Sequence, residues 1–280
     1  MTRRLPQWLA LVGVLLVVAP SAGAAATVPA GSLLPQLTSS SPHLTGYSRD
    51  LFNLWVDADG NGCDTRKEVL ISEARVRPTL LAGCRLAGGR WWSAYDSLFI
   101  TDSGSLDIDH FVPLSEAWKS GAWRWNAGTR EAFANDLGYP LSLIAVTAST
   151  NRQKSDSDPA EWMPPFSAYR CTYVSTWIAV KWRWRLTADP LELAALRLGL
   201  TGCGRAARVP TPTRATIALG PPTASPPASS ATAAGSGTLD PRFPYCTNAI
   251  AAGLGPYRKG VDPEYAWYRD GDGDGLVCER

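Results

Sequence analysis

The stretch SLDIDHFVPLSEAW, residues 105–118, predicts a short strand that leads into a helix. Leu106 and Ile108 alternate with two aspartates, and a period of two residues is typical of a strand with one apolar face. Pro113 cannot donate a hydrogen bond to a neighbouring strand, so the strand should end before it. His110 therefore lies at the end of this strand, where polar side chains of other elements can reach it.

Two further segments complete the order strand, strand, helix. SLIAVT (142–147) has the pattern of a second, apolar strand, and STNRQKSD (149–156) begins a polar helix. Between the two strands, PLSEAWKSG and TREAFANDL have the pattern of surface helices. Because helices and a strand pair occur in one segment, the fold class that we expect is α+β.

The chain has two histidines, and His110 is the better candidate for acid–base chemistry. His43 has no acidic neighbour, whereas Asp109 directly precedes His110. A neutral imidazole can deprotonate water, and the side-chain oxygens of Asp109 and Asn151 suit a hard cation such as Mg²⁺. Lys154 or Arg152 could then bind the charged phosphate. A lone histidine in a strand is more often structural, but the asparagine and the lysine favour catalysis.

One geometric difficulty follows from the strand itself. Adjacent residues of a regular strand point to opposite faces, so Asp109 and His110 share a site only at a frayed end or a bulge. Asp107 lies on the same face as Asp109 and could replace or supplement it as a ligand. Arg66 could clamp phosphate or pair with Glu68, and the sequence leaves both roles open.

Three spaced segments, DIDHFVPLSEAW, FANDL and NRQKSDSDPAEW, together resemble the HNH endonucleases. The longer pattern resembles the GmrSD-type branch of secreted proteins; it includes LWVDADGNGCDTRKEVL upstream and MPPFSAYRCTYVSTWIAVKWRWRL downstream, and covers nearly all of residues 45–190. The resemblance implies a ββα-metal core elaborated with helices. It also implies metal-assisted hydrolysis of a phosphodiester bond.

The same resemblance implies a role for each polar residue. Asp109 and Asn151 would bind Mg²⁺ or Mn²⁺, since an oxygen-rich site disfavours zinc and nickel. His110 would be the general base. Asn135 would brace a loop or orient the histidine, and Lys154 would assist phosphate binding.

The N-terminus and the cysteines indicate an exported protein. Residues 1–26 contain two arginines, a short apolar run and an Ala-x-Ala pattern, which is typical of a signal peptide; a short membrane anchor is the alternative. Six cysteines in an exported chain favour disulfides over zinc. Two predicted helices joined by a short turn would bring Cys171 and Cys203 together. Sequence neighbours suggest the pairs Cys63–Cys84, Cys171–Cys203 and Cys246–Cys278, although other pairings stay open.

Composition divides the mature chain into three parts. Residues 45–204 are long enough for one nuclease domain with a core. Residues 205–240 are rich in Pro, Ala, Ser and Thr, which predicts a disordered linker. Residues 241–280 regain aromatic residues and two cysteines, so we expect a small module that needs its disulfide. The net charge of +2 provides no global basic field, so nucleic acid would require a local patch.

Two acidic loops are candidates for calcium. Residues 57–68, DADGNGCDTRKE, fit the EF-hand pattern, but two basic residues lie inside it, and a turn whose aspartates cap the next helix is the alternative. The C-terminal DGDGDGLVCE and the module around it resemble the excalibur extracellular calcium-binding domain. Carboxylates spaced so closely repel one another unless a cation lies among them; the alternative is a solvated acidic turn. The predicted calcium ligands are Asp270, Asp272, Asp274 and Glu279.

We therefore predict a secreted, metal-dependent HNH endonuclease with Mg²⁺ or Mn²⁺ at its site and Ca²⁺ in its C-terminal module. Its partner would be nucleic acid, either DNA or RNA. We expect an extracellular monomer without membrane insertion after signal cleavage, with cell-envelope association as an alternative location. The alternative function is a non-catalytic, calcium-dependent cell-surface or envelope-binding protein with a relic nuclease domain.

Overall fold

Short antiparallel strand pairs and longer helices share the chain, which confirms the mixed helix and strand class. The computed structural model describes residues 26–204, 207–220, 240–241, 246, 249, 254–268 and 275–278. The helices are α1 (Ala30–Leu33), α2 (Thr65–Glu73), α3 (Leu114–Lys119), α4 (Ala127–Ala134), α5 (Ala148–Lys154), α6 (Arg170–Trp184) and α7 (Pro190–Leu200).

The strands form two-stranded antiparallel pairs: β1 with β8, β2 with β3, β4 with β5, β6 with β7, and β9 with β10. Their bounds are β1 (Thr27–Pro29), β2 (Thr79–Leu81), β3 (Arg85–Ala87), β4 (Trp91–Ser93), β5 (Leu98–Ile100), β6 (Leu106–His110), β7 (Leu143–Thr147), β8 (Arg208–Pro210), β9 (Tyr257–Arg258) and β10 (Leu276–Val277).

The pair β6–β7 carries the predicted site, and α5 follows β7 directly. The register is regular, with Asp109 opposite Ile144 and His110 opposite Leu143. The insert between the two strands contains α3 and α4. The predicted order of strand, insert, strand and helix is therefore present, and β6 reaches His110 without a bulge.

Two apolar clusters lie against β6 and β7. The smaller one contains Leu106 and Ile108 together with side chains of α2. The larger one surrounds α6, where Trp177 is fully buried. Because Leu106 and Ile108 take one face of β6, the regular alternation directs Asp107 and Asp109 to the other face.

Helices α6 and α7 form the predicted hairpin, and the start of α7 is capped as the sequence indicates. The Asp189 side chain accepts hydrogen bonds from two backbone N–H groups, and Pro190 is the first helical residue. Asp and Pro favour these two positions because the first N–H groups of a helix have no partner within it. The structure contains the disulfides Cys63–Cys84, Cys171–Cys203 and Cys246–Cys278, as predicted.

Residues 207–220 pack on the domain, so a disordered linker cannot begin at the predicted position. Val209 of β8 lies opposite Val28 of β1 and is 1% exposed. The Arg183 guanidinium donates a hydrogen bond to the Thr213 carbonyl at 2.7 Å. The Pro-rich segment has too few apolar residues for a core of its own, but it completes the core of the preceding domain. Composition alone does not reveal that β8 pairs with β1.

Most of the predicted signal peptide, the later part of the linker and the calcium ligands lie outside the described residues. In the C-terminal part that is described, β9 pairs with β10. No helix in the described part of the chain is long and apolar enough to cross a membrane. The predicted positions outside it are 1–25, 205–206, 221–239, Asp270, Asp272, Asp274 and Glu279.

Candidate active site

A pocket of about 310 Å³ lies at the end of β6, beside α5. Three predicted site residues line it: Asp109, His110 and Asn151. Arg152 and Arg49 line it as well and add two guanidinium groups. The pocket therefore combines an imidazole, side-chain oxygens and positive charge, which together suit a phosphate ester.

His110 is buried, and a backbone carbonyl fixes its tautomer. Its Nε2 lies 2.9 Å from the carbonyl oxygen of Ala134. A carbonyl oxygen only accepts, so Nε2 carries the proton and Nδ1 keeps its lone pair. Burial lowers the pKa of His110 to about 4; the Ala134 bond opposes this shift, and the charges of Arg49 and Lys154 add to it. The imidazole is therefore neutral at neutral pH and can serve as a base.

Asn135 holds the loop that packs on His110. Its Oδ1 accepts a hydrogen bond from the Val56 N–H at 3.1 Å, and its Nδ2 donates to the Asn53 carbonyl at 2.7 Å. Between these two residues lies Trp55, whose ring centroid is 5.6 Å from that of the imidazole. This geometry fits the loop-bracing role that the family resemblance implies for Asn135.

Asp109 and Lys154 form a buried ion pair. Lys154 Nζ donates to the two Asp109 oxygens at 2.8 and 2.7 Å, and the side chains are 6% and 0% exposed. Lys154 Nζ also donates to the carbonyls of His110 and Phe111, each at 3.1 Å. The Tyr95 hydroxyl donates to Asp109 at 2.5 Å. The predicted phosphate-binding role of Lys154 does not fit this arrangement, because its ammonium is enclosed and already bonded.

The surroundings of Asp109 reduce its net charge. Burial raises the pKa of the Asp109 carboxyl, and the Lys154 ammonium opposes that shift. Burial also raises the pKa of Tyr95 well above its ordinary value, so the Tyr95 hydroxyl stays protonated and donates. Asp109 therefore lines the pocket with little net charge, because the ammonium beside its buried carboxylate balances it.

Asn151 and Asp107 contact each other, and only Asn151 lines the pocket. Asn151 Nδ2 donates to Asp107 Oδ2 at 3.2 Å. With its nitrogen so engaged, the amide of Asn151 has its Oδ1 available as a ligand. Arg152 Nε lies 3.9 Å from the same Asp107 oxygen. Asp107 thus orients its neighbours on α5, and the structure does not place it in the pocket as an alternative ligand.

Arg66 has a different role from the predicted one, and Arg49 lines the pocket although it was not predicted. Arg66 donates from Nη2 to the carbonyls of Ser103 and Leu106 at 3.0 and 2.9 Å, which fastens α2 to the start of β6. This structural role takes the place of the predicted phosphate clamp or pair with Glu68. Arg49, which sequence reasoning missed, lines the pocket from a short 3-10 turn. Its only sequence signal is a basic residue in a polar loop, far from the histidine along the chain.

Comparison with known proteins shows which families match the chain. Residues 82–195 match the GmrSD restriction endonucleases, C-terminal domain, and residues 243–279 match the Excalibur calcium-binding domain. An "Uncharacterized secreted protein" of Arthroderma benhamiae is 43% identical over 158 residues, which are 56% of this chain and 76% of that relative. The chain belongs to the GmrSD C-terminal domain family. No solved structure matches the chain.

The GmrSD match confirms the predicted family and suggests nuclease activity, for which the substrate would be nucleic acid. It contains His110, Asn135 and Asn151, whereas Arg49 lies before it. The Excalibur match confirms that the C-terminal part is a calcium-binding domain. Three disulfides and an Excalibur domain fit an extracellular protein.

The GmrSD-type pocket suits a hard cation better than zinc. In the described part of the chain, no group of three or more His, Cys, Asp and Glu side chains could hold a metal ion. Zinc normally takes several such ligands, whereas Mg²⁺ keeps several waters and needs only one or two carboxylates besides substrate phosphate. Asp109 and Asn151 both line the pocket, and both Asp109 oxygens already accept from Lys154, so a hard cation held by these residues stays a proposal.

A larger pocket of about 730 Å³ adjoins Asn135 but is less suited to a phosphate ester. Its lining includes Asp59, Glu68 and Glu131, whose carboxylates would repel a phosphate. His110 does not line it. The smaller pocket therefore remains the candidate active site of the GmrSD-type domain.

The EF-hand-like loop, residues 57–68, lies before the GmrSD match and is held by hydrogen bonds of its own side chains. Asp57 Oδ2 accepts from the Gly62 N–H at 2.9 Å, and the Asn61 amide donates to Glu68 Oε1 at 2.9 Å. Asp64 caps the following helix by accepting from a backbone N–H. The helix cap that the alternative predicts is therefore present, and calcium binding by this loop is not tested.

Proposed function

We propose that this chain is a secreted, metal-dependent HNH endonuclease that hydrolyses phosphodiester bonds of DNA or RNA. Strands β6 and β7 and helix α5 would form its ββα-metal core. The observation that carries the proposal is a neutral His110 in one pocket with Asn151 and two guanidinium groups. The GmrSD match supports a nuclease, and the Arthroderma benhamiae relative, which is described as secreted, supports export.

His110 would act as the general base. Its Nδ1 would take a proton from the attacking water, and the Nε2–H bond to the Ala134 carbonyl would stabilise the imidazolium that forms. Arg49 and Arg152 would bind the non-bridging oxygens of the scissile phosphate, because guanidinium groups match phosphate in charge and geometry. Asn135 would keep Trp55 packed on the imidazole and so hold the base in place.

Asp109 and Asn151 would hold Mg²⁺ or Mn²⁺ in this pocket. A bound ion would stabilise negative charge on the phosphate and on the leaving oxygen. Lys154 balances the charge of Asp109, so we expect the ion to bind more tightly with substrate phosphate than without it. Ca²⁺ would bind separately in the Excalibur domain, where the proposed ligands are Asp270, Asp272, Asp274 and Glu279.

A plasmid and a structured RNA, each incubated with the mature protein, test this proposal. We expect cleavage with Mg²⁺ or Mn²⁺ and none after treatment with EDTA. His110→Ala should reduce the rate at least 100-fold, since general-base catalysis contributes roughly 10²–10⁴. His43→Ala is the matched control, because His43 stacks on Trp123 at a ring-centroid distance of 4.3 Å and does not line the pocket. Full activity of His110→Ala, or full activity without metal, would refute the proposal.

The Excalibur match supports one other function, a calcium-dependent cell-surface or envelope-binding protein whose nuclease-like domain is inactive. The proposed nuclease site argues against it, because the imidazole, the amide oxygen and the guanidinium groups remain together in one pocket. The plasmid assay separates the two functions. Absence of cleavage with every divalent metal, together with calcium-dependent binding to cell envelopes, would favour the binding protein.

A further inference from the structure

The hairpins β2–β3 and β4–β5 form a basic surface that the proposed catalytic pocket does not use. We call it the hairpin surface, and it comprises residues 75–99. Between Glu73 and Asp96 the chain has four arginines and no acidic residue, although the whole chain has a net charge of only +2. These arginines are Arg75, Arg77, Arg85 and Arg90.

The arginines of the hairpin surface are exposed and available to a ligand. In the described part of the chain, Arg77 and Arg85 make no side-chain hydrogen bond and no ion pair within 4.0 Å, whereas the charge of Arg75 interacts with the Glu73 carboxylate. Arg90 lies over the ring of Phe99 at 4.4 Å from its centroid. A group of unpaired guanidinium groups attracts a polyanion, because each contact with phosphate releases a bound counterion.

An aromatic platform lies beside Arg90. Phe99 is 53% exposed, and its ring centroid is 4.7 Å from that of Trp92. The strand register places Trp92 opposite Phe99, so the two rings and Arg90 share one face of the β4–β5 hairpin. Exposed aromatic rings beside arginines are suited to stack on unpaired bases.

The hairpin surface is held firmly to the domain. Trp91 is fully buried on the opposite face of β4 and donates from Nε1 to the Leu70 carbonyl at 2.6 Å. The Cys63–Cys84 disulfide fastens the turn between β2 and β3. The exposed aromatic and basic groups therefore stand on a fixed frame, which reduces the entropy lost on binding.

We infer that the hairpin surface binds single-stranded segments of nucleic acid, with its arginines on phosphates and Phe99 and Trp92 stacked on bases. This inference deepens the proposed nuclease function, on which it rests, by locating a second contact for the substrate. Five residues of chain connect Ile100 to Leu106, and β6 then leads to His110, so the end of β5 lies within about 35 Å of the histidine. About ten stacked nucleotides span that distance at roughly 3.4 Å each.

Binding of labelled oligonucleotides tests the inference. The full mature chain with His110→Ala would be mixed with a fluorescent single strand of about 20 nucleotides, and anisotropy would be recorded at several salt concentrations. Removing two phosphate contacts with Arg77→Gln and Arg85→Gln should weaken binding roughly 20-fold at about 0.1 M salt. The slope of log K against log salt should fall in magnitude by about 1.4. The matched control is Arg185→Gln with Arg197→Gln, which removes the same charge from exposed positions elsewhere.

The stacking contact has its own pair of variants. Phe99→Leu keeps an apolar side chain but removes the ring, and we expect about tenfold weaker binding of the single strand. Leu98→Ala is the control, because Leu98 is 50% exposed and points to the opposite face of β5. A thermal melt of each variant would verify that it is folded.

Three outcomes decide the inference. The inference would be overturned if the hairpin variants and the control variants lost the same affinity. It would also be overturned if the hairpin variants bound the oligonucleotide as tightly as the His110→Ala parent. Hairpin-dependent binding to phosphatidylserine vesicles, with oligonucleotide binding unchanged, would also overturn it and assign the surface to membranes. Because binding is measured without cleavage, hairpin-dependent binding together with an unmutated chain that cleaves no nucleic acid would refute the nuclease proposal alone.

Discussion

Two adjacent residues at the end of β6 have opposite surroundings, and this difference sets their chemistry. His110 donates to a backbone carbonyl and is neutral, so its second ring nitrogen is free to act as a base. Asp109, on the other face, is bonded to the Lys154 ammonium and the Tyr95 hydroxyl. Both residues line one pocket because β6 ends there. The regular strand therefore permits a shared site only at its last residue pair.

Glu73 provides a prediction on pH at the scale of one residue. Glu73 accepts a hydrogen bond from the Ala145 N–H at 2.8 Å. Burial raises the pKa of Glu73 from 4.5 to about 7, although the Ala145 hydrogen bond and the charge of Arg75 act to lower it. The folded protein thus binds a proton that the unfolded chain loses above 4.5, so this group lowers stability as the pH rises from 4.5 to 7. Glu73→Gln keeps an acceptor without the charge. We expect it to raise the Tm at about pH 8 and to leave it nearly unchanged at about pH 4.5.

Thermal melts of wild type and Glu73→Gln at the two pH values measure this effect. Besides Arg75, Tyr169 interacts with Glu73, and burial holds the pKa of Tyr169 well above the range tested. The control is Asp50→Asn, because Asp50 is exposed and we expect its removal to change the Tm little at either pH value. A Glu73→Gln effect that does not change with pH would contradict the prediction.

At the scale of elements, Lys154 joins α5 to the end of β6. Its ammonium bonds to Asp109 and to the carbonyls of His110 and Phe111, so one side chain fixes the strand end that carries the proposed base. The sequence places this lysine on a polar helix, where a phosphate-binding role is a reasonable expectation. Only the packing of α5 against β6 shows that its side chain is enclosed.

Lys154→Met should destabilise the domain by about 3–5 kcal/mol, because it leaves the Asp109 carboxylate buried without its partner. Arg152→Gln is the matched control on the same helix; its side chain is 77% exposed, and we expect a change within about 0.5 kcal/mol. Urea unfolding followed by tryptophan fluorescence measures both. A Lys154→Met protein of wild-type stability that has lost only activity would support a phosphate-binding role instead.

The elements that the sequence predicts correctly are those with a local signal. Alternation marks β6, an apolar run marks β7, and the Asp189 cap with Pro190 marks the start of α7. The hairpins β2–β3 and β4–β5 were not predicted, because their strands have three residues each and depend on cross-strand contacts. The same limit applies to the site. Motif spacing identified His110 and Asn151, whereas Arg49 joins them only through tertiary packing.

At the scale of the whole molecule, the two ends of the nuclease-type domain close on each other. β1 pairs with β8 across most of the described chain, and the Tyr139 hydroxyl donates to the Pro210 carbonyl at 3.0 Å. Ala215 is also buried. A segment with the composition of a linker therefore contributes to the core, because its few apolar residues fill positions that the rest of the domain leaves open.

A truncation series should locate the end of this domain. A chain that ends after residue 220 keeps β8, so we expect it to retain the stability of the nuclease-type domain and its activity. A chain that ends after residue 204 exposes the partners of Val209, whose burial alone contributes about 1.5–3 kcal/mol, and it also removes the Thr213 carbonyl that accepts from Arg183. We expect that chain to melt at a lower temperature or to aggregate.

Point variants in the full chain keep this test independent of chain length. Val209→Asn should lower the Tm, because Val209 is buried and an unpaired amide there would be costly. Leu219→Asn, in the same segment, should have little effect, because Leu219 is 58% exposed. If the two truncated chains had the same Tm, and the two variants also had the same Tm, residues 207–220 would belong to the linker. A lower Tm for both the shorter chain and Val209→Asn would instead place the end of the domain after β8, where the two termini of the nuclease-type domain meet.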